Sequence, residues 1–73
     1  MDPPLIDISL NGSKRSLSSG TTILGLLEQL NIDPQIGGIA VAIGFHVIPR
    51  SRWAETLLTD GDEIEIIRAT AGG

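Results

Sequence analysis

A chain of 73 residues with no cysteine builds one small domain that neither a disulfide nor a thiolate metal site can reinforce. Nine acidic against five basic side chains leave a net charge of −4, the wrong sign for a face that must displace counterions from nucleic acid. The longest apolar stretch, Ile36 to Ile48, is interrupted by Gly37, Gly38, Gly44 and His46 and falls short of the ~20 residues that cross a bilayer.

From Ile6 to Leu10 apolar and polar residues alternate, the pattern of a half-buried strand. Asn11-Gly12 follows and accepts positive φ at both positions, which favours a type I′ turn. Lys14 to Leu17 return with the same period, so the first seventeen residues are predicted to form a β-hairpin. Ser18-Ser19-Gly20 is a loop, and either Thr21 or Thr22 can cap a helix. Ile23, Leu26, Leu27 and Leu30 fall at i, i+3, i+4 and i+7, one apolar stripe on that helix. Gly25 weakens it by about 1 kcal/mol against alanine, which predicts a packing reason for the glycine. Asn31 and Pro34 mark its end.

Ile39-Ala40-Val41-Ala42-Ile43 is a continuous apolar run of strand length, expected to be buried on both faces. Gly44-Phe45 reads as a turn, and His46-Val47-Ile48 as a short return strand that Pro49 ends. Ser51 to Leu58 holds Trp53, Leu57 and Leu58, one helical turn plus loop. Thr59-Asp60-Gly61-Asp62 is a turn signature. Glu63 to Arg68 is the clearest strand, with Ile64 and Ile66 inward and Glu63, Glu65 and Ile67 outward. The order β-β-α-β-β-β predicts an α+β fold: one helix across a face of a mixed sheet of four to five strands, the last strand central. The expected division is a domain over 1–68 and a C-terminal tail over 69–73. The N-terminal Met1-Asp2-Pro3-Pro4 lacks the parts of a signal peptide, so a cytoplasmic setting is expected.

The tail ends Ala71-Gly72-Gly73. Two glycines without side chains can thread a narrow channel and present a terminal carboxylate to an enzyme. Five extended residues, Ala69 to Gly73, reach at most about 17 Å. Other side chains take ordinary readings. His46 has no partner triad and suits an exposed strand position. Asp60, Asp62, Glu63 and Glu65 fit a turn and a solvated strand face better than a calcium loop. Trp53 is expected to cover the small core. Arg50 and Arg52 can pair with those acids or contact a partner. Ile67 and Phe45 are candidates for an exposed apolar docking patch, with Ala69 and Ala71 of the tail alongside.

A small β-grasp order ending in Gly-Gly resembles the ubiquitin-like proteins. Val41-Ala42-Ile43, then Val47-Ile48-Pro49-Arg50-Ser51-Arg52-Trp53, then Thr56 through Asp60-Gly61-Asp62-Glu63-Ile64-Glu65-Ile66 and Gly72-Gly73 narrow that resemblance to the ThiS family of sulfur carriers. The family often has Asn-Gly after the Val41 strand, where this chain has Gly44-Phe45 and so exposes a large aromatic. The resemblance implies a protein co-substrate rather than an enzyme, with no cofactor or metal of its own. An adenylyltransferase of the ThiF type, related to ubiquitin-activating enzymes, would activate the Gly73 carboxylate with ATP. A sulfur donor such as a cysteine desulfurase would convert the adenylate to a thiocarboxylate. A thiazole synthase of the ThiG type would receive the sulfur for thiamine synthesis, and Gly72 would give the tail its access. The alternatives are a small subunit of the molybdopterin synthase type, a ubiquitin-like protein modifier, and a plain interaction domain.

Overall fold

The computed structural model describes residues 3–68. Strands β1 (Leu5–Leu10) and β2 (Ser13–Ser18) pair antiparallel around Asn11-Gly12. Both turn residues have positive φ, 48° and 87°, as a type I′ turn requires. Alternation then sorts the faces, and Ile8 and Leu17 are buried.

Helix α1 spans Ile23–Gln29. Of the two threonines before it, Thr22 is the cap: its Oγ1 accepts from the Gly25 N–H at 3.1 Å. Thr21 instead donates its hydroxyl to the Ser18 carbonyl at 2.7 Å. The helix ends in a Schellman motif. Asn31 takes φ 58°, its N–H returns to the Glu28 carbonyl, and the Ile32 N–H returns to the Leu27 carbonyl at 2.9 Å. Ile23, Leu26 and Leu27 are fully buried. The packing constraint expected at Gly25 is not there. A methyl group on it would lie 3.5 Å from Thr21 Cγ2 and Thr22 Oγ1, which is ordinary contact.

Strands β3 (Ile39–Ile43) and β4 (His46–Ile48) form a second hairpin. Its turn has positive φ at Gly44, 61°, and not at Phe45, the type II′ solution to the same twist requirement. A 3₁₀ turn over Arg50–Arg52 leads into Trp53. This residue is 2% exposed, and its Nε1–H donates to the Ile48 carbonyl at 2.9 Å. Trp53 is therefore a lid on the core. Strand β5 (Glu63–Arg68) enters the middle of the sheet, whose order is β2-β1-β5-β3-β4. It runs parallel to β1 and antiparallel to β3.

One core joins Ile8, Leu17, Val41 and Ile64 of the sheet to Ile23, Leu26 and Leu27 of the helix, closed by Trp53 and Leu58. This is the β-grasp arrangement that the order of elements predicts. One expectation is corrected. β3 is not buried on both faces: Val41 is buried, while Ile39, Ala40, Ala42 and Ile43 remain half-buried. Its outward positions are alanines, so the run is apolar although no layer lies above it among the described residues.

Candidate functional site

One turn, Thr59 to Asp62, sets where β5 begins. The Asp60 carboxylate accepts from the Asp7 N–H at 2.7 Å. The Asp62 carboxylate accepts from the Thr59 N–H at 2.8 Å and from its hydroxyl at 3.0 Å. These acids are spent on shaping the turn, as the sequence suggests. Glu63 and Glu65 face water on the strand. The two ion pairs among the described residues, Lys14–Asp7 at 3.8 Å and Arg52–Glu55 at 3.9 Å, involve neither glutamate.

From there β5 runs outward toward residue 69, held on both flanks. On one side Ile39 pairs with Arg68, Ala40 with Ile67 and Val41 with Ile66. On the other side, the Ser9 N–H donates to the Asp62 carbonyl and the Asn11 N–H to the Ile64 carbonyl, both at 2.9 Å. One further rung comes from a side chain. Asn11 Oδ1 accepts from the Ile66 N–H at 2.8 Å, and Asn11 Nδ2 donates to the Ile66 carbonyl at 3.2 Å.

Paired residues share a face, so the register assigns the surface opposite the helix. Ile67 lies beside Ala40, and Ala42 lies between Val47 on β4 and Glu65 on β5. Ile67 is 53% exposed and Val47 70%. An apolar strip thus crosses β5, β3 and β4, bordered by Glu65 and Glu63. Phe45 is fully exposed but belongs elsewhere. It sits at the β3–β4 tip, where the Gly44 N–H reaches the Glu63 carbonyl. That is the opposite end of β5 from Ile67, about 13 Å along the strand at ~3.3 Å per residue. The two residues proposed from sequence as one patch are therefore separate, and Val47 is the exposed apolar neighbour on the Ile67 face that the reading missed. Its alternation within a three-residue strand was too short to mark a face.

The positions of Ala69, Ala71, Gly72 and Gly73 lie outside the described residues. Arg50 and Arg52 do not meet the strand acids. The Arg50 guanidinium stacks 4.7 Å from the Trp53 ring centroid and donates to the Ile36 carbonyl at 3.1 Å. Arg52 pairs with Glu55. His46 is exposed at the edge of β4. Among the described residues no three His, Asp or Glu side chains group as a metal site would need, and no helix is long and apolar enough to cross a membrane.

Residues 8–73 match the model of the ThiS family. The chain is 37% identical to the sulfur carrier protein ThiS of Escherichia coli over 68 residues, covering 93% of this chain and all of that protein. It is 33% identical over 64 residues to a thiazole synthase of Paramagnetospirillum magneticum, covering 88% of this chain and 19% of that protein. In fold it is similar to the crystal structure of the thiamine biosynthesis protein ThiS from Geobacter metallireducens. That likeness has a TM-score of 0.74 at 23% identity and covers 93% of this chain and all of that one.

Proposed function

The chain belongs to the ThiS family, and from that premise we propose that it carries sulfur for thiamine biosynthesis as a thiocarboxylate on Gly73. It acts as a carrier and not as a catalyst. Residues 1–68 form the body that a partner holds, and residues 69–73 form the arm that enters the partner's active site. The family match running through Gly73 is the observation that carries this reading.

The chemistry needs little from the carrier. A free carboxylate is a poor acyl donor, so an adenylating enzyme of the ThiF type first joins it to AMP, releasing pyrophosphate. The persulfide of a donor such as a cysteine desulfurase then attacks the carbonyl carbon and displaces AMP, and a thiol reductant cleaves the resulting acyl disulfide to leave the thiocarboxylate. The product is a soft anionic nucleophile, formed without a thiol in the carrier. Glycine at 72 and 73 keeps the arm slender, as a shared channel requires. The receiving enzyme is a thiazole synthase. In support, a segment of about a fifth of a thiazole synthase resembles nearly all of this chain.

The apolar strip of Ile67, Ala40, Ala42 and Val47 is the docking surface in this reading, next to the root of the arm. Phe45 is a separate contact at the far hairpin tip. Ala69 and Ala71 follow Ile67 into the partner. The whole cycle is suited to the cytoplasm, where ATP is available.

The test is intact-mass spectrometry after incubation with an adenylating enzyme of this type, ATP and a sulfur source. The expected result is a mass gain equal to the exchange of one oxygen for sulfur, absent in Gly73→Val. An unmodified wild-type chain under those conditions refutes the reading, and a ladder of lysine conjugates would replace it with a protein-modifier role.

A further inference from the structure

β1 leaves the sheet too early to hold β5 to its end. Its backbone ladder to β5 stops at the bond from the Asn11 N–H to the Ile64 carbonyl. At Asn11 the chain enters positive φ and turns away through Gly12 into β2. The next rung would need an acceptor for the Ile66 N–H and a donor for the Ile66 carbonyl, and no main-chain group of β1 remains to supply either. A primary amide offers both on one planar group. Asn11 uses both, at 2.8 and 3.2 Å. Its side chain stands in for a missing strand residue.

We infer that Asn11 is a positioning residue for the C-terminal arm. The clamp fixes the peptide of Ile66, two residues before Arg68, and with the β3 pairing of Ile39 to Arg68 it sets the direction in which the chain leaves the sheet. Without the clamp the last turn of β5 is held on one flank only. A partner that must align the Gly73 carboxylate with ATP then has to order that segment itself. Ordering that residue's backbone then falls to the partner, which lowers turnover about tenfold. Aspartate in place of Asn11 retains the acceptor but sets a carboxylate oxygen against the Ile66 carbonyl. Glycine retains the turn, since it takes positive φ freely, and removes only the amide. The functional half of this inference rests on the carrier reading above; the structural half does not.

Asn11→Gly and Asn11→Asp are compared with wild type and with Thr22→Ala, a cap deletion remote from β5 that controls for lost stability. Amide hydrogen exchange on the isolated protein reads the clamp. The Ile66 N–H is expected to exchange faster in Asn11→Gly, with a smaller effect in Asn11→Asp, which keeps an acceptor, while remaining at the wild-type rate, corrected for global stability, in Thr22→Ala. Steady-state adenylation reads the positioning. The expected result is kcat about tenfold lower in Asn11→Gly with KM for the carrier little changed, and wild-type values in Thr22→Ala. Unchanged Ile66 exchange in Asn11→Gly overturns the clamp. Faster exchange with wild-type kcat overturns the positioning role alone. A wild-type chain that is exchange-protected yet never adenylated overturns the carrier reading, and the positioning role with it.

Discussion

Replacing Gly25 with alanine should stabilise this domain. The position is the third of α1, and its N–H already receives the Thr22 cap. Alanine exceeds glycine by about 0.8–1.0 kcal/mol in helix interiors, because glycine loses more backbone freedom on folding. The new methyl group would sit 3.5 Å from Thr21 Cγ2 and Thr22 Oγ1, so no steric term opposes the gain. First-turn placement trims it to about 0.5–1 kcal/mol. A domain of this size shifts by about 4–8 °C per kcal/mol, which gives a rise in Tm of roughly 2–8 °C. Urea denaturation followed by circular dichroism is the assay, with a higher midpoint and an unchanged m-value. A lower midpoint at the same m-value would refute the reasoning, because it would mean that the glycine is needed for packing within the isolated domain. Higher stability together with impaired adenylation would locate the need for glycine in a partner instead.

Other outcomes can be stated more briefly. Thr22→Ala removes the cap and should cost about 1 kcal/mol, read as a lower denaturation midpoint. Trp53→Phe keeps most of the core volume but removes the indole hydrogen bond to the Ile48 carbonyl and weakens the Arg50 stack. It should destabilise by about 1–2 kcal/mol in the same assay. Ile67→Glu lies on an open face, so stability should stay within about 0.5 kcal/mol. On the proposed carrier reading, an adenylating enzyme's KM for this chain should rise, and kinetics at several carrier concentrations will show whether it does.

The elements were legible in the sequence because their signals are local. Asn11-Gly12 wrote the first turn, the spacing of Ile23, Leu26 and Leu27 wrote the helix, and alternation over Glu63 to Ile67 sorted the faces of β5. The site was less legible. Whether Ile67 and Phe45 adjoin depends on the register of β3 against β5, and nothing in either segment encodes that register alone. β3 read as doubly buried because alanine counts as apolar whether or not anything covers it. The second role of Asn11 was hidden for a different reason. A turn asparagine is explained fully by its φ, so the sequence leaves no residue of surprise to point at the Ile66 peptide fifty-five positions away.

The central placement of β5 has a consequence for synthesis. The two hairpins touch the sheet only through it, so neither can be joined to the other while the ribosome still holds residues 63–68. Until then the nascent chain has two unclosed halves and a helix with no continuous floor, a topology whose distant pairings come late. The strand that seals the architecture is also the one that leads into residues 69–73. In the carrier reading proposed above, a C-terminal segment that follows a paired β5 therefore certifies a finished molecule, and a misassembled chain lacks the folded platform that the reading requires.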